Sequence, residues 1–216
     1  MTRSRSDIPT LNPLITPRAE ALLKALQEHP DAPRWNYRTG DRITAEDLDA
    51  LEAFREDVLA PRIAEPRTGP PPRIVQALAS VLPQVEWLRS RIAPGWDLAG
   101  DWTSLPCMTR EDVATDMGSI VPDDADLDGV SVYETSGTTG HRIPVPNSAR
   151  GASSYAVLLE RVMRQHGVRP RFSDEAAGCF LVGAQQKTVT YAAVHSVWNN
   201  SGYAKLNLRA GDWPTR

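Results

Sequence analysis

Six consecutive residues, Thr135 to Gly140 (TSGTTG), are only threonine, serine or glycine, and they lie between two short apolar segments in YETSGTTGHRIPVP. Side chains this small add little to a core, and ordering Gly137 and Gly140 costs backbone entropy. The chemistry that such a run offers is anion binding. Glycines let a ligand approach the main chain, and consecutive N–H groups in a turn form a nest. The hydroxyls of Thr135, Ser136, Thr138 and Thr139 add donors, and this set suits phosphate oxygens. The run is not a Walker A loop, because no Gly-Lys-Ser/Thr closes it and an extended segment follows. No GxGxxG occurs in the chain. Composition alone fits a solvated hairpin turn equally well, since Gly-rich turns are common.

Other chemical sets are thinner. DDADLDG, Asp123 to Gly129, imitates a calcium loop with Asp124, Asp126, Asp128 and Gly129, but the twelfth position is Thr135 and a strand follows where a helix is needed. An acidic turn is the better reading. No HExxH, Cys/His metal set or Ser-His-Asp pattern is present, so no metal ligands are assigned. Cys107 and Cys179 show neither CxxC nor zinc spacing and read as two buried, reduced thiols. His29 and His166 fall near expected helix ends, where a cation suits the dipole.

The elements that position the loop are alternating strands and helices. Val130 to Glu134 reads as a strand before it and IPVP as an extended segment after it. Ser148 to Gln165 reads as a long helix with Tyr155, Leu158, Leu159 and Val162 on its apolar side, stopped by Gly167. GCFLVGA (178–184) is expected to be a buried strand, Val189 to Trp198 a helix, and Tyr203 to Leu208 a further strand. Strands alternating with helices give an α/β class for this half.

The first part reads as helices with proline-rich joints. Thr16 and Pro17 open one, with Ala21, Leu22, Ala25 and Leu26 on one face. Thr44 and Asp47 make a capping box before Leu48, Leu51, Phe54 and Val58, and Thr109 with Asp112 repeats the box. EPRTGPPPR (65–73) is a loop or linker, followed by short helices at Ile74 to Leu82 and through Val85, Leu88 and Ile92. Trp35, Trp87, Trp96 and Trp102 read as packing residues. The resulting division is a helical region, 1–104, and the start of an α/β core, 105–216.

The gross numbers exclude several partners. The 216 residues carry a formal charge of −3, which gives no electrostatic reason to expect nucleic acid or an anionic membrane. MTRSRSDIPT has no apolar leader and no stretch approaches a membrane span, so the expected location is the cytoplasm. A chain of this length buries roughly 70% of its unfolded surface without staples.

The order TSGTTG after a strand, continuing into an extended segment with proline, resembles the phosphate-binding signature of the adenylate-forming superfamily, which includes acyl- and aryl-CoA ligases. LPCMTREDVATDM, Leu105 to Met117, resembles the helix entry of the phenylacetate-CoA ligase branch, and its spacing to the loop also matches. His195, with Gly202-Tyr203-Ala204 after it, is similar to that branch's His before a glycine-containing strand. RWNYRTGDRITAEDLDALEAFRE resembles natural-product aryl-acid activators, including phenazine-antibiotic pathway proteins. The useful resemblance spans about Leu105 to Leu208.

The resemblance implies part of the large N-terminal domain of an adenylate-forming enzyme, a mixed sheet flanked by helices. It implies ATP with Mg2+, a small-molecule carboxylic acid that attacks the α-phosphate, and a thiol or amine acceptor. Thr135, Ser136, Gly137, Thr138, Thr139 and Gly140 would hold the β- and γ-phosphates, and one such preorganised donor is worth on the order of 3 kcal/mol. His195 would lie at the acyl pocket or adenylate edge, with Tyr191 and Trp198 beside it; a satisfied helical histidine fits His195 equally well, and core packing is the better reading of Tyr191 and Trp198. The family's Lys-Pro after the loop is replaced by His141-Arg142, so Arg142 is the candidate for the missing cation.

Family members run far past AGDWPTR. Their ribose-binding acid, adenine-contact motif, hinge and late catalytic lysine have no counterpart here, so no catalytic residue is assigned and the expectation is an N-terminal fragment, inactive alone. The alternative is a non-catalytic binding protein or remnant that keeps a small anion-binding hairpin.

Overall fold

In the computed structural model, residues 11–60, 69–127, 130–134, 143–186, 188–209, 211 and 213 are described. They combine helices with two small sheets, a mixed helix-and-sheet architecture compatible with the α/β class. The chain divides into two compact units, Met1–Ala60 with Ala149–Arg216, and Pro61–Ser148. The first helices pack on elements more than 100 residues later, and composition carries no record of such pairing.

In the first unit, α1 (Pro17–Glu28) begins where Thr16 Oγ1 accepts the Ala19 amide at 3.1 Å, with Pro17 at the first position. Its buried residues are Ala19 and Leu23, with Leu26 alongside. The face expected from the sequence is thus rotated, and Ala21 and Ala25 are exposed. Helix α2 (Ala45–Leu59) opens on the full Thr44–Asp47 capping box. It buries Leu51 and Val58, with Leu48 and Phe54 packed beside them.

The later helix of this unit runs Ala149–Gln165 and packs on α2. It buries Ser153, Ala156, Val157 and Glu160, spaced i, i+3, i+4, i+7. This corrects the expected apolar face: Tyr155, Leu158, Leu159 and Val162 lie on the opposite side and are 41–68% exposed. Small residues let the two helices approach closely. Glu160 is accommodated because Arg55 Nε lies 2.8 Å from its Oε2 and Arg164 Nη2 lies 2.6 Å from its Oε1.

The sheet of this unit has β3 (Ala177–Gly183), β4 (Tyr191–His195) and β5 (Ser201–Asn207) in the order β3-β5-β4. Strand β3 is parallel to β5 and β4 is antiparallel to it. Helix α1 covers β4 and β5, burying Ala192, Val194 and Ala204 against Ala19 and Leu23. Gly202 allows this approach, because a Cβ there would meet Leu26 Cδ1 at 3.0 Å and Ala177 Cα at 3.1 Å. The expected helix at 189–198 is instead β4 followed by a 3₁₀ turn, Ser196–Trp198. Ala192, Ala193 and Val194 are all buried, so both strand faces are apolar and the two-residue alternation is erased. GCFLVGA is a strand but not a buried one: β3 is at the sheet edge, and Phe180, Leu181 and Val182 are about half exposed.

The second unit contains α3 (Pro72–Val81), α4 (Glu86–Arg89) and α5 (Arg110–Thr115), the last opened by the Thr109–Asp112 capping box. It also holds β1 (Ser131–Glu134) and β2 (Pro144–Asn147), paired antiparallel with Ser131 opposite Asn147 and Glu134 opposite Pro144. Two prolines are tolerated in β2 because a two-stranded sheet is all edge. The helix of the first unit that follows β2 completes the numbering as α6 (Ala149–Gln165). Among the described residues no helix is long and apolar enough to cross a membrane.

Candidate functional site

The nominated phosphate-binding residues, Thr135 to Gly140, together with His141 and Arg142, lie outside the described residues. Their frame is described. Strands β1 and β2 pair from Ser131–Asn147 up to Glu134–Pro144, and the glycine–threonine segment joins those two adjoining strand ends.

The second nominated group lies in the first unit, and there the structure brings all three residues into one aromatic cluster. Tyr191 and His195 share one face of β4 because they are four residues apart in a strand. Trp198 joins them through the 3₁₀ turn. The His195 ring is 5.2 Å from Trp198 and 6.1 Å, edge-on, from Tyr203 of β5. Tyr203 also lies 5.8 Å from Tyr191 and 6.4 Å from Trp198, so it links the three. Phe172 stacks on Trp198 at 4.6 Å, and Tyr37 meets Tyr191 edge-on at 6.2 Å. Such offset and edge contacts match the ring quadrupoles and fix the side chains.

His195 Nδ1 and Trp198 Nε1 are both buried without a hydrogen-bond partner. An orphaned polar atom in an aromatic setting costs free energy unless a ligand group or water completes it. Burial pushes the His195 imidazole below its ordinary range, and the Asp41 carboxylate pulls it back up. Burial also raises the Tyr203 phenol, against a hydrogen bond with Tyr191. At neutral pH the site is therefore a neutral imidazole among rings, with one carboxylate facing it. It can hold a flat apolar group and offer a nitrogen to a polar one.

Asp41, Tyr203, Tyr37 and Phe172 were not nominated from the sequence. Asp41 Oδ2 accepts the Ser196 amide at 2.6 Å, and its Oδ1 accepts the Ile43 amide at 3.3 Å. Gly40 precedes it where a Cβ would overlap the Leu11 carbonyl oxygen, and Arg42 follows it at φ 53°. The Gly-Asp pair in RTGDR was the only sequence signal of this turn.

In the second unit a cleft of about 290 Å³ is lined by Glu86, Trp87, Arg91, Glu111, Asp112 and Asp116 among others. Arg91 sits 4.4 Å above the Trp87 ring and pairs with Asp112 at 2.9 Å. The Thr109 hydroxyl and amide hold the Asp112 carboxyl at about 2. The remaining carboxylates make this cleft unsuited to a polyphosphate. Asp123 of the acidic turn pairs with Arg89 at 2.6 Å. Among the described residues no three or more His, Cys, Asp or Glu converge as metal ligands. Cys107 and Cys179 are free thiols; Cys107 is exposed and Cys179 half-buried, which corrects the expectation that both are buried.

Comparison with protein-family models, with curated proteins and with solved structures finds no match to this chain.

Proposed function

We propose that this chain is the N-terminal portion of an ATP-dependent carboxylate-activating ligase for an aryl or related acid. The observation that carries the reading is the antiparallel pairing of Ser131–Glu134 with Pro144–Asn147, which makes TSGTTG the connection between two paired strand ends. In this role the amides and hydroxyls of Thr135, Ser136, Gly137, Thr138, Thr139 and Gly140 hold the terminal phosphates of ATP, and Arg142 supplies the cation. Mg2+ shields the phosphates when bound. The carboxylic acid lies against His195, Tyr191 and Trp198, whose rings exclude water from it. The carboxylate attacks the α-phosphate of ATP and releases pyrophosphate, and a thiol or amine acceptor then takes the acyl group with AMP leaving.

Two further observations support a part of a larger domain. Phe180, Leu181 and Val182 of β3, and Tyr155, Leu158, Leu159 and Val162 of α6, present apolar surface that more sheet and helix would cover.

The test is ATP–pyrophosphate exchange with a panel of aryl acids, run on this chain and on the polypeptide encoded by the whole reading frame. The full product exchanges with at least one acid, and the joint substitution Thr138→Val, Thr139→Val lowers the rate on the order of 100-fold or more. No exchange with any acid refutes the reading and leaves a non-catalytic anion-binding protein.

A further inference from the structure

Asp41 lies 154 residues from His195 in sequence, yet its carboxylate is fixed beside it. Main-chain amides donate to both of its oxygens: Ser196, the residue after His195, at 2.6 Å, and Ile43 at 3.3 Å. Charge-assisted bonds to backbone N–H groups are shorter and stronger than neutral ones, so the carboxylate has little freedom to turn away. The turn carrying it holds a conformation that side chains avoid. Arg42 sits at φ 53°, with its amide donating to Leu11 O at 2.9 Å, and Gly40 leaves no room for a Cβ. On the other side of His195, Asn199 and Asn200 are also left-handed, at φ 51° and 56°. Left-handed non-glycine residues of this kind cost free energy and persist where surrounding structure requires them. Here they bracket a single imidazole, whose Nδ1 is buried without a partner.

We propose that Asp41 is a positioning residue for His195, fixing the end of β4 through Ser196 and placing a negative charge against the imidazole so that a bound acidic group meets a histidine able to donate. The resting imidazole is neutral and has one N–H to offer a carboxylate or phosphate oxygen; protonation when an acidic group binds adds the second. In an aromatic box, that protonated form needs a nearby anion to offset desolvation. Among the described residues the other titratable group against the ring is Tyr203 of β5, 6.1 Å away. It is neutral at physiological pH, so Asp41 supplies the charge. The use of this pair on a substrate acid rests on the ligase reading; the pair itself does not.

The test is the titration of the His195 imidazole by NMR in this chain and in Asp41→Asn, which keeps an oxygen acceptor for the Ser196 amide but removes the charge. The His195 midpoint moves to lower pH in Asp41→Asn while the circular dichroism spectrum is retained. An unmoved midpoint overturns the proposal. A second measurement needs no variant: in the unsubstituted chain, the Asp41 carboxyl carbon shows an inflection at the His195 midpoint, as coupled groups do. Its absence also overturns the proposal, whether or not Asp41→Asn folds. Neither readout depends on acid activation, so failure of the ligase reading is seen separately in the exchange assay.

Discussion

Replacing Glu160 with leucine tests whether the α2–α6 contact depends on a buried charge. Glu160 is 1% exposed and receives four short contacts: Arg55 Nε at 2.8 Å, Arg55 Nη2 at 3.1 Å, Arg164 Nε at 2.9 Å and Arg164 Nη2 at 2.6 Å. Removing one partner of a buried pair costs about 3–5 kcal/mol. The side chains of Arg55 and Arg164 are 24% and 41% exposed, so both regain some hydration and the lower end applies, about 3 kcal/mol. For a chain of this size that lowers the melting temperature by about 6–12 °C. Urea is the denaturant of choice because an ionic one screens the pair. Unfolding followed by far-UV circular dichroism gives the difference, and a cycle with Arg55→Leu isolates the coupling. The double variant is less destabilised than the sum of the singles by about 1–3 kcal/mol. A Glu160→Leu protein within about 0.5 kcal/mol of the parent, or an additive cycle, refutes the reasoning.

Arg142→Ala weakens ATP binding by the full reading-frame product more than His141→Ala does, measured by equilibrium titration; equal small effects reject Arg142 as the phosphate cation. His195 has a depressed native pKa, so the unfolded chain binds its proton first as pH falls; stability is full above about pH 6.5 and declines below it. Urea midpoints between pH 7.5 and 5.5 therefore fall more steeply in the parent than in His195→Gln. The Asp112 carboxyl titrates at about 2 because Thr109 donates to it twice, so the capping box persists above the ordinary carboxylate range and is lost only as pH drops toward that value. Thr109→Val raises the Asp112 midpoint in a carbon-detected NMR titration, and an unchanged midpoint removes the hydroxyl as a cause.

Local signals were legible where local chemistry decides. Thr16, Thr44 and Thr109 cap their helices because a short hydroxyl side chain satisfies orphan amides within three residues. Strand β1 and the extended segment after the loop were also readable. Helix facing was not. In α6 the more apolar stripe is outside and a glutamate inside, because Arg55, 105 residues earlier, neutralises it. Strand β4 was misread as helix because a strand apolar on both faces loses its period. The nomination of His195, Tyr191 and Trp198 found residues that do cluster, but through a strand and a turn rather than a helix. Asp41 was illegible because its partner is the backbone of Ser196, and a main-chain amide leaves no mark on composition.

The strand order β3-β5-β4 has a kinetic consequence. The middle strand of this sheet, Ser201–Asn207, is the last of the three to be synthesised, and both neighbours wait for it. Helix α1 leaves the ribosome about 170 residues before the strand that completes its seat, so this contact requires a long loop closure. In the last part of that interval, between Gly183 and Ser201, the apolar faces of β3 and α1 are open together. Chaperone capture and misassociation of nascent chains therefore concentrate before Ser201, and fall once Asn207 has emerged.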